Sequence, residues 1–293
     1  MINIKPYSKD SFNFLESVID SKRKRPNEIQ PFYKDRMRQV LPELKPTCLC
    51  YDDAFTNQAL QTLSSIPQFS EKNLKNDLLD LYSYKAKPFI KLKNELVELS
   101  DGSSFDTCQY CGINSISTLD HILPKSIFPE FVVHPKNLFP ACSECNSLKM
   151  SKWLESGESS FLNLYSDILP LTQYLFVDLN YNGKIFDVSF YLSNKNNIDT
   201  IFFKIISNHF KNLKLIERFN RRSNEIISEF INSIISNLEN NTLESLLNNA
   251  RNRLPLQKSS IGHNHFKNIL ELELCNGTAL SEYLKSKFYI SPK

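Results

Sequence analysis

Glycine is scarce in this sequence, which has six glycines among 293 residues. Because glycine readily adopts the positive backbone angles of tight turns, such scarcity argues against many tight turns and favours a helix-rich architecture. No window of about 18 uncharged apolar residues occurs, so no membrane-spanning helix is expected. The N-terminal residues MINIKPYSKDSFNF also lack the apolar run of a signal peptide. We therefore expect a cytoplasmic protein without a membrane partner.

A strong excess of one charge is also missing, since 35 Lys and Arg residues stand against 32 Asp and Glu residues, for a net charge of +3. This balance is too even to indicate a polyanionic partner by itself. The basic residues nevertheless form four clusters, at 22–25, 34–38, 85–93 and 218–253. Each cluster fits either a solvated helix face or a contact with nucleic acid.

Residues 1–100 are predicted to form an N-terminal helical region. Apolar residues recur there at helical spacing in three stretches, at 11–21, 54–63 and 74–81. Five prolines punctuate the region: Pro26, Pro31, Pro42, Pro46 and Pro67. Because proline interrupts helices, we expect several short helices separated at these positions.

Residues 156–293 are predicted to form a C-terminal region with one β-hairpin followed by helices. Segments 174–179 and 185–192 are rich in aromatic and β-branched residues, and the Asn180–Gly183 sequence between them is a hairpin turn signal. Helical periodicity with charged faces follows at 198–235, 243–254 and 266–288. The compact middle region, 101–155, opens at a turn signal and contains the most informative residues.

Seven cysteines are many for a cytoplasmic protein, and an odd number argues against a complete disulfide framework. Four of them form two Cys-x-x-Cys pairs: Cys108, Cys111, Cys142 and Cys145. The two-residue gap allows each pair to present both sulfurs to one tetrahedral ion, which predicts a closed, structural zinc site. Two local disulfides or four unrelated core cysteines are the alternatives. The remaining cysteines, Cys48, Cys50 and Cys275, are expected to be core thiols.

Asp120 and His121 lie between the two cysteine pairs and combine an acidic metal ligand with a base that titrates near neutrality. Asp120 can hold a hard divalent ion, Mg²⁺ or Mn²⁺, while His121 deprotonates a water molecule to hydrolyse a phosphodiester. An isolated Asp-His pair fits a surface or core histidine better than a site, and its position between the cysteine pairs reverses this preference. Side chains alternate along a strand, so a bend after the pair is required, and Pro124 supplies a nearby break.

Two asparagines and two lysines complete the candidate site. Asn146 follows the last zinc cysteine and can donate its amide oxygen to the catalytic ion, although a helix N-cap is an alternative role. Asn137 can hold the loop that carries His121, or can simply form a turn. Lys125 and Lys149 flank the site and are either phosphate contacts or solvated lysines.

Together, residues 108–149 resemble the HNH endonuclease family, with a ββα-metal core in which a strand ends in Asp-His and a second Cys-x-x-Cys leads into a helix. His121 matches the general base, Asp120 a metal ligand and Asn137 the structural asparagine. Asn146 stands where the family often has a second metal-binding His. The resemblance implies an HNH core with structural zinc, and the periodicity of the flanks adds helical regions and one β-hairpin, so we expect an α+β, mostly helical protein. It also implies cleavage of DNA with one divalent ion.

The flanks resemble, more loosely, the HNH effector subunits of bacterial antiphage systems such as Septu. That resemblance implies an ATPase or other partner subunit and a role in antiviral defence. Two further hypotheses stay open. One is a zinc-stabilised nucleic-acid or protein binding module without catalysis, which the four cysteines alone equally support. The other is a nuclease that is silent until a partner positions it, because the small core offers few contacts of its own.

Overall fold

The computed structural model describes residues 1–99 and 101–288, which form ten α-helices and six short strands. The fold is α+β and mostly helical, as predicted. It divides into two compact units, Asn3–Ile168 and a second made of Met1–Ile2 with Leu169–Lys293. The N-terminal helices and the cysteine region lie in the first unit. The sequence predicted three regions, 1–100, 101–155 and 156–293. This division stays a prediction. Among the described residues, no helix is both long and apolar enough to span a membrane.

Four helices precede the cysteine region: α1 (Ser11–Asp20), α2 (Tyr33–Thr56), α3 (Lys72–Leu79) and α4 (Lys87–Leu96). Helix α1 begins where the Asp10 side chain accepts a hydrogen bond from the Asn13 backbone N–H, and it buries one apolar face. The helices predicted at 11–21 and 74–81 are confirmed. The helix predicted at 54–63 is wrong, because α2 ends at Thr56 and Gln58 has a φ of 54°, outside the helical range.

The prolines of α2 do not divide it. Pro42 and Pro46 both lie inside this single 24-residue helix, contrary to the prediction of short helices. They are four residues apart and both exposed, so they share the solvent face of the helix. The carbonyl groups that lose a backbone partner there can be hydrated, while the opposite face packs Leu44, Cys48 and Tyr51 into the core.

The predicted ββα core is present. Strands β1 (Thr118–His121) and β2 (Leu138–Ala141) pair antiparallel, with Asp120 opposite Phe139 and His121 opposite Leu138. Helix α5 (Ser143–Lys149) follows directly. A further hairpin of two-residue strands, β3 (Leu154–Glu155) and β4 (Glu158–Ser159), follows α5 and is not among the predicted elements.

The second unit contains the predicted hairpin, β5 (Leu175–Tyr181) and β6 (Phe186–Leu192). Gly183 supplies a φ of 86° in its turn, and the Asn182 side chain accepts hydrogen bonds from two backbone N–H groups beyond it. Five helices follow: α6 (Thr200–Asn212), α7 (Leu215–Ile235), α8 (Leu243–Ile261), α9 (Phe266–Asn276) and α10 (Ala279–Phe288). Helix α9 packs against β5, α7 and α8, and α10 packs against β5.

Two helical stretches of the second unit are divided where the sequence predicted continuity. The stretch 198–235 breaks at Lys214. The φ of this residue is 51°, in the left-handed region, so it interrupts the helix and separates α6 from α7. The stretch 266–288 breaks after Asn276, at Gly277. Helix α8 instead runs beyond its predicted end at residue 254, because Pro255 lies on an exposed position of the helix.

Candidate metal centre and active site

The four cysteines of the two Cys-x-x-Cys pairs converge on one point. Their sulfur atoms all lie within 4.8 Å of one another, and all four residues are buried. The Cys111 and Cys142 sulfur atoms are 4.0 Å apart, and among the residues that the structure describes no disulfide joins any cysteine. Sulfurs at 2.3 Å around a tetrahedral zinc ion would be separated by about 3.8 Å. The spacing therefore fits a closed four-sulfur metal site.

Local backbone groups favour thiolates in this cluster. The Ile113 N–H points at the Cys111 sulfur and the Cys145 N–H at the Cys142 sulfur, both at 3.4 Å. A hydrogen bond with the Cys108 thiol is the largest cause that lowers the pKa of Cys111, to about 7, while Cys142 and burial oppose it. Cys142 also caps the N-terminus of α5. The helix N-cap foreseen as an alternative role for Asn146 is thus taken by Cys142.

Asp120 lies on β1 and is 3% exposed. Its Oδ2 atom is 3.3 Å from Lys149 Nζ but has no hydrogen-bond partner among the described residues. Burial raises the pKa of Asp120, and the neighbouring Lys149 ammonium opposes that rise. The Lys149 ammonium partly balances this buried carboxylate, and the Oδ2 atom still lacks a hydrogen bond of normal geometry, so Asp120 also fits as a ligand of a hard divalent ion.

His121 is the last residue of β1 and is 6% exposed. Its Nε2 atom is 2.8 Å from the Val132 carbonyl oxygen. Because a carbonyl only accepts, Nε2 carries the proton in the neutral ring and Nδ1 keeps its lone pair. Burial lowers the pKa of His121 to about 3, against our expectation of titration near neutrality, because the buried imidazolium loses hydration. The ring is therefore neutral at pH 7.

Asn137 is fully buried and connects the two sides of the loop that follows β1. Its Oδ1 atom accepts hydrogen bonds from the Leu123 N–H at 2.7 Å and the Tyr51 hydroxyl at 3.1 Å. Its Nδ2 atom donates to the carbonyl oxygens of Phe131 at 3.0 Å and Leu123 at 3.2 Å. These contacts join the bend after His121 to the segment containing Val132, whose carbonyl oxygen contacts His121.

The two lysines of the candidate site occupy different environments. Lys125 is exposed, and its Nζ lies 5.2 Å from the centre of the Tyr82 ring. Lys149 is 2% exposed, and its Nζ donates to the His121 carbonyl oxygen at 2.5 Å while facing Asp120. Asn146 is half-buried and precedes Lys149 by three residues on α5, so both share one face of the helix.

Tyr82 was not foreseen as part of the site. Its hydroxyl donates to the Leu119 carbonyl oxygen at 2.7 Å, and its ring packs edge-on against His121 with centroids 4.8 Å apart. The residue belongs to the loop between α3 and α4, far from His121 in sequence. No local pattern around Tyr82 distinguishes it from the other eleven of the twelve tyrosines, so only tertiary contacts identify it.

Comparison with known protein families agrees with this geometry. Residues 108–152 match the family model described as HNH endonuclease. The matched segment contains all four clustered cysteines together with Asp120, His121 and α5. The chain therefore carries an HNH endonuclease domain with a four-cysteine cluster, which confirms the family resemblance inferred from the sequence.

Two curated proteins are similar to parts of the chain. Protein ea31 of Escherichia phage lambda is 28% identical over 165 residues, which cover 55% of this chain and 53% of that protein. The Septu protein PtuB of Bacillus thuringiensis is 37% identical over 68 residues, which cover 22% of this chain and 24% of PtuB. The chain thus aligns with about half of the first relative and a quarter of the second. The predicted resemblance to Septu is confirmed. No solved structure matches the chain.

Removing one cysteine of the cluster tests its role as a metal site. We expect Cys145→Ser to lower the zinc content by about one ion per chain and to destabilise the first unit, because a structural zinc ion contributes directly to folding. Elemental analysis and thermal unfolding of the purified protein measure both effects. Cys275→Ser, which alters a buried thiol of the second unit, is the control. An unchanged zinc content, or a mass loss showing two disulfides, would contradict the metal site.

Removing the Asn137 side chain tests its role in the loop. Asn137→Ala leaves buried partners such as the Leu123 N–H unpaired, and each costs about 1–3 kcal/mol. We therefore expect the free energy of unfolding to fall by about 2–5 kcal/mol in urea titrations. The control is Asn13→Ala on the exposed face of α1. A loss no larger than that of the control would show that these hydrogen bonds do not hold the loop.

Proposed function

We propose that this protein is an HNH endonuclease that hydrolyses DNA phosphodiester bonds, with His121 as general base and one Mg²⁺ or Mn²⁺ ion held by Asp120 and Asn146. The observation that carries the proposal is the Asp120-His121 pair at the end of β1, inside the four-cysteine ββα segment that matches the HNH family. Zn²⁺ in the four-cysteine cluster is proposed as a structural ion, since four sulfurs leave no open position.

The buried Oδ2 atom of Asp120, which has no hydrogen-bond partner among the described residues, supports the proposed catalytic ion. Lys149 of α5 lies 3.3 Å from Asp120, and Asn146 precedes Lys149 by about one helical turn, so we assign the Asn146 amide oxygen as a second ligand of the same ion. When bound, a hard divalent ion supplies positive charge to the scissile phosphate and the leaving oxygen.

The hydrogen bond to Val132 suits His121 to accept a proton. It orients the ring and holds the proton at Nε2, so Nδ1 is the atom that takes a proton from the attacking water. The resulting imidazolium is disfavoured by burial, and the negative charge of an adjacent phosphate favours it. Asn137 contributes by position, because it binds the Phe131 carbonyl next to Val132.

The lysines are proposed to act differently. Lys125 is exposed beside the bend that follows β1 and suits a direct contact with a DNA phosphate. Lys149 is buried between Asp120 and the His121 carbonyl, which favours a role in positioning those two residues over a contact with DNA. Of the two roles that the sequence allows for these lysines, a phosphate contact or a solvated position, the solvated position does not apply to the buried Lys149.

We further propose that the nuclease belongs to an antiphage system and acts with a partner subunit such as an ATPase. The similarity to the Septu protein PtuB supports this proposal. The exposures of Asp120 and His121, 3% and 6%, add support, because a substrate reaches such residues only after a rearrangement that a partner can induce. A zinc-stabilised binding module without catalysis is the competing function, since the four cysteines alone fit it equally.

A metal-dependent cleavage assay tests the nuclease. We expect the full chain to nick or cut plasmid DNA with Mg²⁺ or Mn²⁺, alone or with the products of neighbouring genes. His121→Ala should reduce the rate about 10²–10⁴-fold, which is the usual contribution of a general base. Agarose gels of supercoiled plasmid over a time course measure the rate.

The control for this assay is His263→Ala, which changes a half-buried histidine of the second unit. Equal cleavage by wild type and His121→Ala would contradict the role of His121. If neither metal nor partner elicits cleavage while DNA binding persists and is unaffected by Asp120→Ala, the binding module is the correct function.

The salt dependence of DNA binding separates the roles of the two lysines. We expect Lys125→Ala to weaken binding and to reduce the slope of log K against log salt by about 1, because one phosphate contact is lost. Lys149→Met should leave that slope unchanged and lower the cleavage rate. Filter binding and cleavage rates at several salt concentrations measure both. A reduced slope for Lys149→Met would show that Lys149 contacts DNA.

A further inference from the structure

A second group of metal-ligating side chains lies in the first unit, outside the four-cysteine cluster. It consists of Cys48, Asp52 and His134, and one ligand atom from each lies within 4.8 Å of the others. Cys48 and Asp52 are four residues apart on α2 and therefore face the same side of that helix. His134 lies in the loop between β1 and β2, immediately before Pro135. Three different donor types thus meet from two distant segments.

His134 is buried at 4% exposure, and neither ring nitrogen makes a hydrogen bond of normal geometry with the described residues, although the Cys48 backbone carbonyl lies close enough to favour a proton on the ring. A buried imidazole normally satisfies at least one nitrogen, because an unpaired polar group in the interior is costly. The ring packs against Tyr51 with centroids 4.1 Å apart, which orients it. Burial lowers the pKa of His134 to about 3, so the ring is neutral and keeps one nitrogen lone pair.

Asp52 brings negative charge to this group. Its Oδ1 atom lies 3.6 Å from His134 Nε2, 2.7 Å from Lys136 Nζ and 3.0 Å from the Ser11 hydroxyl. The Lys136 ammonium therefore competes with a cation for this carboxylate. Burial raises the pKa of the Cys48 thiol to about 12, so a metal ion that binds there must displace a proton. Both effects favour weaker binding than in the four-cysteine cluster.

We propose that Cys48, Asp52 and His134 form a second site for a divalent transition-metal ion, with Zn²⁺ as the best match to the ligands. Sulfur, imidazole and carboxylate donors together suit zinc, whereas Mg²⁺ and Ca²⁺ prefer oxygen ligands alone. The Asp52 side chain is 24% exposed, so a water molecule can complete four-coordination from that side. The proposal is independent of the nuclease activity, because it requires only that the first unit is folded.

Such an ion would join α2 to the loop that supports His121. Asn137 follows His134 by three residues, and the Tyr51 hydroxyl beside His134 donates to Asn137. The same loop contains Val132, whose carbonyl accepts from His121. The second ion therefore has a stabilising role in the scaffold behind the proposed active site, and its ligands, Cys48, Asp52 and His134, do not include Asp120.

Elemental analysis of the full-length protein tests the second site. Wild type, saturated with zinc and dialysed, is expected to contain about two zinc ions per chain. Cys48→Ser and His134→Gln should each contain about one, with circular dichroism unchanged. The matched control is Cys50→Ser, which removes an exposed thiol of the same helix and should retain about two ions.

Substitution with Co²⁺ gives an independent measurement. A titration of the apoprotein is expected to show a second binding phase with the weak sulfur charge-transfer band of a single thiolate, and Cys48→Ser should abolish that phase only. One zinc ion in the wild type, or two in folded Cys48→Ser, would overturn the proposal. If His134→Gln does not fold, Cys48→Ser decides, because serine is nearly the size of cysteine.

Discussion

Four sulfur atoms from two segments of the chain lie within 4.8 Å of one another, and the rest of the HNH domain is arranged around them. One pair precedes β1 and the other begins α5, so their convergence encloses the β1–β2 hairpin. Cys142 caps α5, and Cys145 lies one residue before Asn146. Any force that holds the sulfurs together therefore also sets the direction of α5. The seven residues of this helix are too few to be stable alone, which makes that constraint essential.

Burial is the second constraint on the site. Asp120, His121 and Lys149 are all nearly inaccessible, so each charge must be balanced within the protein. Lys149 partly neutralises Asp120, and His121 remains neutral with its Nε2 proton held by Val132. The same principle applies to His134, whose ring nitrogens lie beside Cys48 and Asp52. Asp120 and His134 are thus the two buried groups that our proposals assign to cations.

The hydrogen-bond network around Asn137 connects these two places. It joins Tyr51 of α2 to Leu123 after β1 and to Phe131 in the following loop. Asn137 therefore ties α2 to the loop that orients His121. This connection places one N-terminal helix in contact with the support of the proposed active site, although that helix lies outside the segment that matches the HNH family.

Much of the local structure followed from the sequence. The hairpin at β5 and β6 was predicted because aromatic and β-branched segments flank a turn that requires Gly183. The prediction that Pro42 and Pro46 separate short helices was wrong. Both lie on the exposed face of the single helix α2, and which face is exposed depends on tertiary packing. Cys50 was also misjudged as a core thiol: it is exposed because it lies two positions from Cys48, on another side of the helix.

The four-cysteine cluster, the ββα order and the Asp-His pair could be predicted from the sequence, because short fixed spacings carry that chemistry in a few adjacent residues. Three other contacts became visible only in the folded chain: Tyr82 packs on His121, Lys149 is buried against Asp120, and Cys48, Asp52 and His134 meet. These contacts join residues that are far apart in the chain. They form because the packing of helices brings the side chains together and buries them away from water, which no local sequence pattern predicts.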